Sequence, residues 1–296
     1  MSAAPDAGVA SGVVVVDKPA GMTSHDVVAR VRRSAGTRKV GHAGTLDPMA
    51  TGVLLVGVNR ATRLLGHLTL TEKAYDATIR LGAGTTTDDA EGETVDVAPV
   101  GHLTEDDVRA AATRFVGAIE QVPSSVSAIK VDGQRAHARV RAGEEVALPA
   151  RPVTVHELVV TAVRAAEDSL DVDVSVRCSS GTYIRAIARD IGQALGVGGH
   201  LTMLRRTAVG PFGIAEARSL DELAERFDVV DIADVARRCF PVLDLSDDQA
   251  RDVGYGRKLA VTLAGPGPVA VFDPSGRFLA LYEQRDQVAA PLAVFV

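Results

Sequence analysis

Apolar and polar residues alternate most cleanly in LDVDVSVRC. Leu170, Val172, Val174, Val176 and Cys178 fall on one side, and Asp171, Asp173, Ser175 and Arg177 on the other. A period of two predicts a strand with one buried face. AYDATIRL repeats the pattern with Tyr75, Ala77, Ile79 and Leu81 on its apolar side. The runs VVVV (13–16) and VLLVGV (53–58) predict short buried strands, and HLTMLRRTAVGPF is expected to add another. Elsewhere the period is helical. Thr23 and Asp26 have capping-box spacing ahead of Val27, Val28 and Val31, and Gly36 is placed to stop that helix. Thr104 and Asp107 open a second helix lined by Val108, Ala111, Ala112 and Phe115, with Gly117 as its expected end. Ile184, Ile187, Ala188, Ile191 and Leu195 form the stripe of a third, after GTY. RATRLLGHL and SLDELAERF predict shorter helices, the latter with Ser219 and Glu222 as capping box. GAGTTTDDAEGE reads as a polar loop.

These elements mix without a strict βαβ rhythm. The expected fold is therefore α+β, a mixed, mainly antiparallel sheet with flanking helices, over residues 12–238. Behind DVARRCFPVLDL the pattern changes. PVAVFDPSGRFLALYEQ reads as two strands joined by a turn at 273–276, and PLAVFV as a closing strand. A boundary near Arg238 and a small C-terminal β-rich module, 239–296, are expected. Residues 1–11 read as a disordered lead-in. Residues 123–152, bounded by prolines and rich in Arg, look like an insertion holding a strand and a short helix over 135–142.

Composition narrows the function. The 296 residues are 46% hydrophobic and contain no Trp, so Val, Leu and Ala must fill most of the core. There are 32 basic and 38 acidic residues, a net charge of −6, which disfavours a uniformly basic nucleic-acid surface but leaves a local one open. Cys178 and Cys239 stand far apart with no C-x-x-C, so neither a zinc site nor a disulfide framework is expected, and a reduced cytoplasmic setting fits. No stretch has the length of a membrane span, and the N-terminus lacks the basic start and apolar run of a signal peptide. GHAG lacks the G-K-[ST] ending of a phosphate loop, and GVGGH (196–200) reads as a helix stop, so no nucleotide cofactor or metal is expected.

The candidate chemistry centres on GHAGTLDPMATG, residues 41–52. By turn chemistry alone, Asp47 before Pro48 is an Asx-type turn. The other reading is a carboxylate held rigid between Leu46 and Met49, as a nucleophile or general base requires. A lone carboxylate without metal-ligand spacing points to transfer or rearrangement rather than hydrolysis, which usually employs two carboxylates. His42 precedes it in the same loop, where a lone histidine is more often structural. Arg30, Arg32, Arg33, Arg38 and Lys39 lead into the loop with no acid between Asp26 and Asp47. Such a run is either a solvated helix face or one basic face for a polyanion. Arg205 and Arg206 add to this supply, as do Arg135, Arg139 and Arg141 in the insertion. Tyr75 is on the apolar side of its strand, and Tyr183 opens a helix beside Arg185. Each reads as packing or as a stacking platform. Base–aromatic stacking is worth about 1–3 kcal/mol, comparable to the few kcal/mol needed to flip a base. Arg185 is a suitable partner for Asp47.

GHAGTLDPMATGVLLV resembles the catalytic motif of the pseudouridine synthases. DKPAGMTSHD, KAYDATIRLG, GTYIRAIARDIG and LTMLRRTAVG resemble the TruB family, the tRNA pseudouridine-55 synthases, in the same order from about residue 12 to residue 213. The resemblance implies a cofactor-free isomerase acting on the T-arm stem-loop of tRNA, with no obligate protein partner. It makes Asp47 the essential aspartate. His42 becomes the residue that helps the RNA loop adopt its flipped form, and Tyr75 the ring on the target uracil. Tyr183 and Leu204 become pocket walls, Arg185 the partner of the aspartate, and Lys18 a basic residue near the site. Residues 123–152 become the RNA clamp, and 239–296 a PUA-like module. Arg32, Arg33, Arg38, Lys39 and Arg205 are then the expected contacts to the RNA backbone. Two other readings stand beside it: a non-catalytic RNA-binding module, and a small-molecule nucleotide enzyme.

Overall fold

In the computed structural model, residues 10–124, 130–131, 134–135 and 148–296 are described. The first half supplies β1 (Gly12–Lys18), β2 (Val40–Ala43), β3 (Thr51–Val58), β4 (Lys73–Leu81), β5 (Ala83–Thr85), β6 (Thr94–Val97) and β7 (Gly117–Gln121). Then come β8 (Lys130–Val131), β9 (Gln134–Arg135), β10 (Arg151–Ala165), β11 (Leu170–Cys178), β12 (Gly199–Val209), β13 (Phe212–Gly213) and β14 (Val230–Asp231). The C-terminal strands are β15 (Val242–Asp244), β16 (Val269–Phe272), β17 (Phe278–Arg285) and β18 (Val288–Val294). The helices are α1 (Ser24–Ala35), α2 (Leu65–Leu68), α3 (Glu105–Thr113), α4 (Ile184–Leu195), α5 (Leu220–Glu225), α6 (Ile232–Cys239) and α7 (Asp247–Gly254).

The central sheet runs β14-β1-β3-β12-β4-β11-β10-β7, with β2 beside β3 and β13 beside β12 off that path. Its pairings are antiparallel except where β12 meets β3, in parallel, at Arg205↔Thr51 and Arg206↔Gly52. The α+β expectation, a mainly antiparallel sheet with flanking helices and a C-terminal β module, agrees with this architecture. Alternation in β11 works as expected: Val172, Val174, Val176 and Cys178 are buried. The outward Asp171 and Asp173 are used by neighbouring strands. Arg80 Nε reaches Asp171 at 2.8 Å, and Thr78 Oγ1 donates to Asp173 at 2.8 Å.

The uninterrupted runs in β1 and β3 are buried on both faces. Val14, Val16, Leu54 and Val56 enter a core shared with α1, α3 and α4. Val13, Val15, Val53 and Leu55 face the other way, onto Phe212, Phe272, Phe278 and Phe295. The C-terminal sheet, β15-β16-β17-β18, thus packs directly on the back of the strands that carry the Asp47 loop. Its opposite face has its own cluster, including Val253 of α7, Leu279 and Tyr282.

The caps read from sequence are present. Thr23 and Asp26 exchange both capping-box hydrogen bonds, and Gly36 ends α1 at φ 61°, in the left-handed region. Three expectations need correction. Residues 82–93 are not a plain polar loop; Ala83–Thr85 form β5, which pairs with β6 in a hairpin whose tip buries Asp88 and Asp89. Two carboxylates are tolerated there because arginines of α4 meet them, a long-range partnership that no local pattern carries. The α3 helix ends at Thr113, and Gly117, at φ 102°, instead opens β7. RATRLLGHL divides into a 3-10 turn, Asn59–Arg63, and the single turn of α2. The helix expected over 135–142 falls outside the described residues except for Arg135, which ends β9; so do residues 1–9, Arg139 and Arg141. Among the described residues no helix is long and apolar enough to cross a membrane.

Candidate active site

The loop between β2 and β3 is held from three sides. From α1, Ser24 Oγ donates to the Leu46 carbonyl at 3.1 Å and accepts the Leu46 N–H at 2.9 Å. Behind it, Lys18 Nζ donates to the carbonyls of Pro19 (2.9 Å), Met22 (2.6 Å) and Pro48 (3.2 Å). From β12, Arg206 donates through Nε to Val53 O (2.7 Å), through Nη2 to Gly44 O (3.1 Å) and through Nη1 to Thr45 O (3.4 Å). Gly52 sits where β3 meets β12, at φ 99°, and a Cβ there would lie 2.2 Å from the Arg206 carbonyl. Only glycine allows that crossing.

Asp47 therefore leaves a rigid loop. Its Oδ2 lies 3.0 Å from Arg185 Nε, and its side chain stays 36% exposed. Arg185, on the first turn of α4, is almost fully buried. Its Nη1 reaches Asp89 Oδ2 at 3.3 Å and donates to Thr87 O at 2.9 Å. Asp89 is held in turn by Thr87 Oγ1 and by the Glu91 N–H at 3.0 Å. The guanidinium thus bridges an inner, buried carboxylate and an outer one that faces the cavity. A buried Arg bonded to an acid on each side is held in direction as well as place.

The cavity beside Asp47 has a volume of about 290 Å³, near the lower end for small-molecule-sized clefts. Leu46, Tyr75 and Leu204 give it apolar walls, and Tyr183 and Arg206 complete it with the turn 179–182. Tyr75 is 8% exposed, and burial pushes its phenol up while the Arg206 charge pulls it back. Lys73 also lines it, its Nζ bonded to Thr71 O at 2.6 Å and to Thr69 O. Burial, with Arg206 nearby, lowers the Lys73 ammonium to about 8. Burial likewise lowers Lys18 to about 8, against the opposing pull of Asp47.

The sequence-derived set divides in space. Asp47, Tyr75, Tyr183, Arg185 and Leu204 meet at the cavity. Lys18 does not: it is fully buried and spends its donors on loop carbonyls, so it braces the loop instead of reaching a ligand. His42 sits on β2 outside the cavity lining. Its ring is edge-on to His25 at 5.3 Å, and its Nδ1 is buried with no hydrogen-bond partner. Burial, then His25 and Arg206, lower its proton affinity. Met49 packs on the core rather than in the cavity wall. Arg32, Arg33, Arg38 and Lys39 are exposed at and beyond the end of α1, and Arg32 also donates to Val40 O at 3.1 Å. Arg205 grips Asp17 at 2.7 Å and Thr51 Oγ1 at 3.2 Å. Arg206 corrects the sequence reading most clearly: it is no surface cation but 1% exposed, inside the site. Asp89 and Lys73 carry no sequence signal of their own; only the need of a buried Arg185 for a second acid points to Asp89.

The N-terminal domain profile of the TruB family pseudouridylate synthases matches residues 32–184, more than half of the chain. The chain belongs to the TruB family. Profiles for a tRNA pseudouridylate synthase B C-terminal domain and for the C terminus of tRNA pseudouridine synthase II match residues 185–238 and 240–296. Among TruB relatives, the tRNA pseudouridine synthase B of Thermobifida fusca is 59% identical, over 97% of this chain and 99% of its own length. That of Arthrobacter sp. (strain FB24) is 56% identical over 96% of each. Solved structures agree with the fold. A Cbf5-Nop10-Gar1 complex contains a chain similar at TM-score 0.74 and 26% identity, over 96% of this chain and 85% of that one. An H/ACA RNP bound to a substrate RNA containing 2'-deoxyuridine contains another, at TM-score 0.73 and 25% identity over the same shares. This TruB-family chain is thus a pseudouridine synthase.

Proposed function

We propose that this TruB-family enzyme isomerises the uridine at position 55, in the T-arm stem-loop of tRNA, with Asp47 as the essential carboxylate acting on a flipped base. The reaction breaks the N1–C1′ bond, turns the uracil and joins C5 to C1′; the C5 proton passes to solvent and N1 takes up a proton in its place. Atoms and oxidation state balance without a cofactor. Attack on C1′, addition to the uracil ring and removal of a sugar proton each require a carboxylate fixed against the ribose or base. The Asp47–Arg185 contact at the wall of a cavity of about 290 Å³ is the observation that carries the reading.

Tyr75, Leu46 and Leu204, which line the cavity, keep water from the detached sugar and base. A base reaches this depth only when everted, which costs least in a folded loop with bases already exposed. His42, beside the Asp47 loop, holds the everted form of the RNA. Arg32, Arg33, Arg38, Lys39 and Arg205 take backbone phosphates. Residues 12–238 carry the chemistry, with 123–152 clamping the stem-loop, and 239–296 act as a PUA-like module. The tRNA named for the relatives supports this reading. The protein acts in the cytoplasm, where tRNA resides. The protein acts without an obligate protein partner.

The test uses the purified chain alone and tRNA tritiated at uridine C5. Tritium release with pseudouridine mapped to position 55 supports the proposal. Release at the normal rate by Asp47→Asn would remove the carboxylate from the mechanism.

A further inference from the structure

We propose that Gln121 is a positioning residue for the isomerisation. It ends β7 and is 1% exposed. Its carboxamide nitrogen donates to the Tyr183 carbonyl at 3.0 Å, and its carboxamide oxygen accepts the Tyr183 N–H at 2.8 Å. One planar side-chain amide is thus matched, donor and acceptor together, against the N–H and C=O of one residue, which belong to the peptides on either side of it. That pairing restrains the backbone of Tyr183 in both directions, as a strand neighbour does.

The residue held in this way is a consequential one. Tyr183 is the N-cap of α4, at φ −101° and ψ 110°, and its side chain makes no capping hydrogen bond. A Ser, Thr, Asp or Asn at this position usually fixes the start of the helix from its own side chain. Here the side chain lines the cavity instead. The restraint comes from Gln121, 62 residues away in sequence. Arg185, the partner of Asp47, follows two residues later on the first turn of α4. A rotation of the Tyr183 peptide therefore moves both the ring and the guanidinium.

Arg189 supplies a second grip one turn further on. Its Nη2 donates to the carbonyl of Val122, next to Gln121, at 2.7 Å. Its Nη1 meets Asp88 Oδ2 at 3.2 Å. Asp88 adjoins Asp89, which holds Arg185. The first two turns of α4 are thus fixed from β7 on one side and from the acidic turn on the other.

The inference rests on the roles proposed above for Asp47, Tyr183 and Arg185. Gln121→Met keeps most of the volume and removes both hydrogen bonds, while Gln121→Glu keeps the acceptor and loses the donor. Steady-state kinetics of the full chain on tRNA, with thermal unfolding measured alongside, read the effect. Both variants are expected to lose about 10- to 100-fold in kcat, the scale of a small misplacement of reacting groups. KM for tRNA stays within about twofold, since the RNA contacts are intact. Normal kcat in Gln121→Met overturns the proposal. So does a rate loss that vanishes on correction for the folded fraction, or failure of both variants to fold, because Gln121 then serves stability alone. Activity in a parallel Asp47→Asn control overturns the site assignment itself, and so separates the two failures.

Discussion

Arg206 Nε donates to the carbonyl of Val53 at 2.7 Å although 153 positions separate the two residues. The same side chain reaches Gly44 and Thr45 at the start of the Asp47 loop. One buried cation therefore ties both ends of the loop to β12. Substituting Arg206→Met would strip three carbonyls of a donor in a dry site. The expected loss is about 2–4 kcal/mol of stability, from unsatisfied buried acceptors. Urea unfolding measures it, and a loss within experimental error would mean that the loop is held by Ser24 and Lys18 without help.

Asp89 is the inner carboxylate of the Arg185 bridge. Asp89→Asn retains its shape and removes its charge, leaving Arg185 freer to leave Asp47. Single-turnover tritium release should slow by about 10- to 100-fold, as expected for loss of an orienting group. Affinity for tRNA, measured by filter binding, should hardly change, because Asp89 is buried away from any RNA.

Arg32, Arg33 and Arg38 are exposed at and beyond the end of α1. If they meet phosphates, neutralising all three should reduce the slope of log K against log salt by about two to three. Binding measured over a salt series gives that slope directly. An unaltered slope would assign these arginines to a solvated helix face.

Lys73 gives a pH signature. Its amine titrates near 8 in the folded protein, against 10.5 for an unperturbed lysine. Below about 8 both folded and unfolded chains carry the proton, so the group adds no pH dependence while the cost of burying its charge is fully present. Between those values the unfolded chain binds the proton that the folded chain has released, so stability rises with pH. Lys73→Met should flatten that rise when unfolding free energies are compared at about pH 8 and about pH 10. An unchanged pH profile would place the titration elsewhere, with Lys18 next in line.

Much of the molecule is legible in local pattern. Alternation marks β4 and β11, capping boxes mark α1, α3 and α5, and the Gly-rich loop marks Asp47. These features are governed by neighbours a few residues apart, which is why a linear reading finds them. The motifs KAYDATIRLG and GTYIRAIARDIG likewise bring Tyr75, Tyr183 and Arg185 to notice before any fold is known. Tertiary structure alone decided which charged residues are inside. Nothing local in the sequence marks Lys18, Asp89, Arg185 or Arg206 as buried, and each is held inside by partners that include a residue from a distant strand or turn. A buried charge is defined by what surrounds it, and those surroundings do not exist until the sheet has closed.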